Sequence, residues 1–177
     1  MPGFDRLRGM RRLSLLALLL VTGCGTSAGT GGGQVACTEI GAPRGVSVDL
    51  APGPAAAAAS TAALEACWAG KCRTYPVELS PSTEAVDSGC DGDQPDAVCS
   101  AEVRETGGKH GFATIDDLPE LPVRVTLTIT GDDGAETSRQ TLDITPEPVH
   151  PNGPHCPGMG PQAKLTVGAD GAVRDGT

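Results

Sequence analysis

Residues 123–130 read Val-Arg-Val-Thr-Leu-Thr-Ile-Thr, the clearest strand pattern in the chain. Aliphatic and polar side chains alternate with a period of two, so all the aliphatic residues fall on one face of an extended strand. The turn-forming residues Gly131-Asp-Asp-Gly134 follow directly. This order predicts a hairpin whose second strand ends at Leu142–Thr145.

Further strands are predicted on both sides of this hairpin. Residues 44–50 alternate in the same way, and Ala163–Val167 and Ala172–Val173 flank the turn signal Asp170-Gly171. The alanine-rich stretch 54–63 has no apolar stripe, which predicts a loop or a short helix. Seven or eight short strands between Gly/Pro turns predict an all-β fold. We expect an antiparallel β-sandwich, immunoglobulin-like in architecture and stapled by disulfides.

Composition excludes one class of function and limits the core. The 177 residues include 13 basic and 22 acidic side chains, which gives a net charge of −9. An acidic chain lacks the basic face that a nucleic-acid-binding protein needs, so no nucleic-acid partner is expected. Only four residues are aromatic. A large apolar core is therefore not expected, and the cysteines are the candidates for stabilising the fold.

The N-terminus has the pattern of a targeting segment. Residues 1–12 contain four arginines, and residues 13–21 form a short apolar run. The run is far shorter than the ~20 residues that span a bilayer, which indicates a signal peptide over residues 1–23. Leu20-Val-Thr-Gly-Cys24 resembles the bacterial lipobox, so Cys24 is predicted to carry the lipid that anchors the protein to the outer face of the cell membrane. The alternative is an ordinary signal peptide followed by a chance cysteine.

A flexible tether is predicted to join the anchor to a single domain. Residues 24–36 contain the lipidated Cys24 followed by a Gly/Ser/Thr-rich run. Such a composition is typical of a flexible linker. We therefore place one β-sandwich domain at residues 37–177.

The remaining six cysteines predict three disulfides, because an even number in an exported chain indicates a disulfide framework. Fifteen connectivities are possible. Cys67 and Cys72 flank a hairpin turn at Ala69-Gly70, and Cys90 and Cys99 flank a polar loop. If both local pairs form, Cys37 is left to pair with Cys156 and to join the two ends of the domain.

The hairpin at Ala69-Gly70 also predicts a register. Cys67 would face Cys72, and Leu64 would face Tyr75. One face of the hairpin is then apolar and the other polar, as a half-buried antiparallel pair requires.

Several blocks resemble a family of uncharacterised, lipobox-containing lipoproteins of high-GC Gram-positive (actinobacterial) type. They are Cys37-Thr-Glu-Ile-Gly, Gly45-Val-Ser-Val, Ala66-Cys-Trp-Ala-Gly-Lys-Cys-Arg73, Gly107-Gly-Lys-His-Gly-Phe112 and Pro151-Asn-Gly-Pro-His-Cys156. The resemblance covers nearly the whole of the expected mature chain, residues 24–177. It implies attachment to the cell envelope and brings no enzymatic activity with it.

Two groups of residues could hold a metal ion. His150, His155 and Cys156 are potential zinc ligands, but the spacing supplies no fourth ligand, and a disulfide would occupy Cys156. The loop between Cys90 and Cys99 is crowded by acidic residues that could bind calcium: Asp87, Asp91, Asp93 and Asp96. The loop does not follow the EF-hand pattern. We interpret both groups as solvated surface residues, assign no metal or other cofactor, and keep calcium or metal binding as the alternative function.

No catalytic site is predicted. The chain has no Gly-x-Ser-x-Gly motif, and Ser100 and His110 have no spacing that indicates a triad. Gly107-Gly108-Lys109 lacks the residues of a phosphate-binding loop, and we interpret it as a flexible loop. The sequence therefore predicts a non-catalytic binding or structural module of the cell envelope, whose ligand or protein partner it does not identify.

Overall fold

A computed structural model describes residues 36–176 of the chain. These residues contain ten β-strands and one short helix. From Cys37 onward these residues form one compact unit. In chain order the elements are β1 (Gly45–Leu50), α1 (Pro54–Ala58), β2 (Thr61–Trp68), β3 (Lys71–Val77), β4 (Ser80–Cys90), β5 (Cys99–Thr114), β6 (Val123–Thr130), β7 (Glu136–Ile144), β8 (Glu147–Val149), β9 (Met159–Val167) and β10 (Val173–Asp175).

The predicted signal peptide, Cys24 and all but the last residue of the predicted tether lie outside the described residues. Within residues 36–176, no helix combines the length and the hydropathy of a membrane span.

The strands form two sheets, so the predicted all-β class is confirmed. Sheet A has the order β10-β9-β1-β5-β4, and β8 also pairs with β9. Sheet B has the order β3-β2-β6-β7. One part of the prediction is wrong: β1 and β9 run parallel, so sheet A is mixed rather than antiparallel. No hairpin joins these two strands, and the long chain segment between them permits either orientation.

Alternating side chains from both sheets build one apolar core. Along β6, Val123, Val125, Leu127 and Ile129 are buried while the residues between them are not. The core also includes Val46, Val48 and Leu50 of β1, Leu64 and Ala66 of β2, and Leu165 and Val167 of β9. The strands predicted at residues 44–50, 123–130 and 163–167 therefore bury the side chains that their alternation indicates.

The β2–β3 hairpin has the predicted register, with Cys67 opposite Cys72 and Leu64 opposite Tyr75. Its turn places Ala69 at φ 49° and Gly70 at φ 74°. Positive φ at both central residues suits a two-residue hairpin turn, although alanine adopts it less readily than glycine or asparagine.

The alanine-rich stretch divides between two elements. Residues 54–58 form α1, which starts at a proline, a residue that the first turn of a helix tolerates. Residues 59–60 are loop as predicted, but the last three residues of the stretch are strand: β2 begins at Thr61, and Ala62 and Leu64 enter the core. β2 pairs with β3 on one side and β6 on the other, and Ala62 belongs to the core cluster.

All six cysteines of the described residues are paired, and the pairs are the three predicted ones: Cys37–Cys156, Cys67–Cys72 and Cys90–Cys99. The first joins residues 119 positions apart, at the two ends of the domain. The other two each tie neighbouring strands of a single hairpin.

One segment interpreted as a loop is part of a strand. Gly107-Gly108-Lys109 belongs to β5, so its interpretation as a flexible loop is wrong. Gly108 is needed for packing, since a Cβ there would lie 2.7 Å from the carbonyl oxygen of Leu50. The chain on both sides of the Cys90–Cys99 loop forms the long strands β4 and β5.

Candidate functional site

The outer halves of β4 and β5 form an extended hairpin, which we call the arm and define as residues 83–106. No residue of the arm is buried, although residues 83–90 and 99–106 are paired as strands. The side chains of Val98 and Val103 are 73% and 74% exposed. Isolated two-stranded hairpins are marginally stable in water, so an arm without a core needs support at its ends.

The sheet supports the arm at its base. Lys109 pairs with Pro81 and Glu105 with Thr83, so β5 has two more residues than β4 between these pairs. Gly107 lies in this bulge at φ 81°, and the side chain of Lys109 reaches back to donate a hydrogen bond to the carbonyl of Ala59. Bulges bend a strand and increase its twist. The bulge at Gly107 therefore marks the point where the arm leaves sheet A.

The Cys90–Cys99 disulfide closes the other end of the arm. Between the two cysteines, Asp91 donates its backbone N–H to the carbonyl of Val98 at 3.0 Å. Just before them, Asp87 accepts a hydrogen bond from the backbone of Gly89 at 2.8 Å. The tip is therefore a short closed loop and not a free end.

Charge is concentrated on the arm. It carries seven acidic side chains and one basic one: Glu84, Asp87, Asp91, Asp93, Asp96, Glu102 and Glu105 against Arg104. That single cation is already paired, because its guanidinium lies 3.4 Å from the carboxylate of Glu102 and it sits opposite Glu84 in the ladder. The arm thus presents an acidic surface with few internal counter-charges.

The candidate metal ligands remain apart. Within residues 36–176 no group of three or more His, Cys, Asp or Glu side chains is placed to hold a metal ion. Cys156 is bonded to Cys37, and Nδ1 of His150 lies 3.0 Å from the carbonyl oxygen of Cys156. His155 is exposed. The predicted disulfide therefore takes the only thiol of the candidate zinc group.

The structure brings together one nucleophile–base pair that the sequence analysis missed. The hydroxyl of Ser82 lies 3.2 Å from Nδ1 of His110, on the neighbouring strand. Asp49 lies opposite His110 in the ladder, but its carboxylate binds Lys164 at 2.7 Å. Ser100, the residue considered with His110 from sequence, is paired with Gly89 near the tip of the arm. A hydroxyl–imidazole contact on an exposed sheet face, without an acidic partner for the imidazole, does not make a triad.

Besides an open groove of about 310 Å³ at Ser47 and Gln162, two further grooves of the described residues border charged side chains. One, of about 510 Å³, is open and is bordered by Arg44, Glu120, His150 and Met159. The other, of about 250 Å³, lies beside Trp68, where Arg73 pairs with Asp117 at 3.3 Å. Both salt-bridge partners in the second groove are more than half exposed, so this ion pair adds little binding energy.

Sequence reasoning identified the tip of the arm but not the arm itself. The cysteine spacing predicted the closed tip, whereas the strands that carry Glu84, Val103 and Glu105 were missed. Their alternation is masked, because apolar side chains such as Val86 and Val103 lie on opposite faces of the hairpin. The available signal was the β-favouring run Ala-Glu-Val-Arg-Glu-Thr at residues 101–106.

No family model, curated protein or solved structure matches the chain.

Proposed function

We propose that this protein is a lipid-anchored lipoprotein of the extracytoplasmic face of the cell membrane, acting as a non-catalytic binding module. The observation that carries the proposal is the pairing of every cysteine in the described residues. Such bonds persist in oxidising compartments outside the cytoplasm. The seventh cysteine of the sequence, Cys24, is then left over at the position where the lipobox pattern requires a thiol.

The proposed anchor and the proposed binding role fit together. A lipid on Cys24 holds the chain at the membrane surface, and the Gly-rich residues 25–36 have a root-mean-square reach of roughly 20 Å. The domain then stands free of the bilayer. Its arm offers a solvent-exposed surface for contacts with another molecule of the envelope.

We further propose that the two sheets pack as an immunoglobulin-like sandwich. The core that they share supports this, since buried residues of β1 and β9 in sheet A cluster with those of β2 and β6 in sheet B. Aligned sheets of a sandwich enclose their inward-facing residues in this way.

Metabolic labelling tests the anchor. The full chain is expressed in a high-GC Gram-positive host with a tagged palmitate analogue, beside the variants Cys24→Ser and Ser27→Ala. We expect label on the wild type and on Ser27→Ala but none on Cys24→Ser, because only a thiol accepts the lipid. Equal labelling of all three chains, or of none, contradicts the proposal.

Location is tested on the same cells. Protease added to intact cells should degrade the wild-type domain, because the proposal places it outside the membrane. A cytoplasmic protein serves as the control and should survive. Protection of the domain until the cells are lysed would contradict the extracytoplasmic location.

A further inference from the structure

We infer that the arm binds a basic, extended polypeptide segment, which adds as a new strand to the edge of β5 next to the end of β1. This inference deepens the proposed function, since it names the partner class of the binding module. It rests on three features of the arm: an unpaired strand edge, an exposed apolar strip and an unbalanced negative charge.

The edge of β5 is open where β1 stops. The β1–β5 ladder ends at the pair Leu50–Lys109, and Ala51 then turns away to donate its N–H to Val167. Residues 99–105 of β5 continue past this point and pair only with β4 among the described strands. Their second edge therefore leaves backbone donors and acceptors without a ladder, which is the arrangement that an added strand uses.

The other edge of the arm is protected. Within the arm, the β4 ladder is interrupted between Asp87 and Gly89, where Ser88 is an extra residue on β4. Prolines and bulges are devices that keep edge strands from pairing. Residues 99–105 of β5 contain neither proline nor glycine, and no interruption adds a residue to β5 within this range. Because β4 is interrupted within the arm and residues 99–105 of β5 are not, an added strand would pair with the edge of β5.

An apolar strip accompanies this edge. Val103 lies opposite Ala85, and Ala101 lies opposite Asp87, so Ala85, Ala101 and Val103 share one face of the arm. Side chains of an added strand that point to the same face would cover Val103, which is 74% exposed. Full burial of a valine side chain is worth about 1.5 kcal/mol, so the strip would favour an apolar residue at that position of the partner.

Charge selects the partner. The seven acids and one base of the arm give it a net charge of −6. Complementary charge favours a segment rich in Lys or Arg, and it accelerates association. A second copy of the chain would bring a second acidic arm against the first, and the like charges would repel. Residues 24–36 carry no charged side chain, so this segment does not match the arm either.

Binding of defined peptides to the full chain in detergent tests the inference. The probe is a peptide of about eight residues, near the usual strand length, in which Lys and Val alternate. Two control peptides have the same length: Glu/Val, which reverses the charge, and Lys/Pro, which keeps the charge but cannot pair as a strand. We expect the Lys/Val peptide to bind at least tenfold more tightly than either control. Equal binding of Lys/Pro would overturn strand addition, and equal binding of Glu/Val would overturn charge selection.

Variants locate the site. Glu102→Gln with Glu105→Gln should weaken Lys/Val binding at least fivefold, because both charges lie on the pairing strand. The matched control is Asp132→Asn with Glu147→Gln, which removes two exposed carboxylates outside the arm and should leave the affinity unchanged. Equal effects of the two double variants would overturn the inference.

Hydrogen exchange identifies the edge. The bound Lys/Val peptide should slow exchange of backbone amides within residues 99–105. New protection confined to β4, or self-association of the chain through the arm without peptide, would overturn the assignment. The labelling experiment on Cys24 is independent, because peptide binding to the arm does not require the lipid.

Discussion

Gly45 begins β1 at a position that leaves no room for a side chain. Its φ is +154°, and a Cβ built there would lie 2.0 Å from the carbonyl oxygen of Ala113 on β5. Because the obstacle is backbone, relief would require the β1–β5 ladder to shift. We predict that Gly45→Ala lowers the free energy of unfolding by about 1–3 kcal/mol, the range of overpacking and backbone strain.

Denaturant unfolding of the purified chain measures this loss. Gly41→Ala is the matched control, since a Cβ there meets no atom within 4 Å. The control should unfold like the wild type. A Gly45→Ala variant as stable as the control would show that β1 does not approach β5 as described.

Tyr75 carries a buried hydroxyl that has no hydrogen-bond partner among the described residues. A buried polar group without a partner costs the free energy of its desolvation. We predict that Tyr75→Phe raises the free energy of unfolding by about 1 kcal/mol. Thr74→Ala, on the exposed face of the same strand, is the control and should give no such gain. A Tyr75→Phe variant less stable than the wild type would mean that the hydroxyl is bonded.

At the scale of the element, the arm depends on the disulfide at its tip. Removing it by Cys90→Ser with Cys99→Ser should let the arm open while the rest of the domain stays folded, because the arm contributes no buried residue to the core. Arg104 is the only basic residue of the arm, so trypsin cleavage at this residue reports the opening. We predict at least a tenfold faster cut after Arg104.

The Cys67→Ser/Cys72→Ser variant is the comparison for this cleavage. It removes a bridge of similarly short span, five residues against nine, from the other sheet. Trypsin should cleave this variant after Arg104 at the wild-type rate. Equal acceleration in both variants would show that the opening is global rather than confined to the arm.

The elements that the sequence predicted are those with one buried face. Along β6, alternation and burial coincide, because every second residue enters the core. The arm offered no such signal: both its faces meet solvent, and its acidic and small residues are also typical of loops. When both faces of a strand meet solvent, its apolar and polar residues need not alternate, so the sequence pattern does not indicate a strand.

At the scale of the whole molecule, one long-range bridge joins the ends of the domain. Cys37 and Cys156 are 119 residues apart, and Asn152 adds two hydrogen bonds to the backbone of Ile40, both of 3.1 Å. On the chain-entropy model a loop of this length is worth about 5 kcal/mol, and that of Cys67–Cys72 about 2 kcal/mol.

We therefore predict that Cys37→Ala with Cys156→Ala loses more stability than Cys67→Ala with Cys72→Ala. The measurement is the free energy of unfolding in denaturant under non-reducing conditions. Equal losses, or a larger loss at the short bridge, would contradict this ranking. Such a result would mean that native packing around each bridge, and not loop closure, sets its contribution.

The cysteine pairing was predictable because two of the three pairs join cysteines that are close in sequence. The two remaining cysteines then form the third pair. The contact of Ser82 with His110 was not predictable from the sequence, since it depends on a β4–β5 register that a bulge interrupts. The parallel pairing of β1 with β9 was also beyond the sequence, because no turn between them constrains their orientation. Local spacing predicts local contacts, whereas long-range pairing follows from the packing of the complete chain.

The mass of the intact protein extracted from membranes tests for the lipid on Cys24 and the three disulfides in one measurement. The protein is alkylated once without reduction and once after it. Our account predicts a chain that starts at Cys24, carries a diacylglyceryl group, and takes up no alkyl group until reduction exposes the six thiols of the three bridges. A chain without lipid, or a thiol that reacts before reduction, would contradict it.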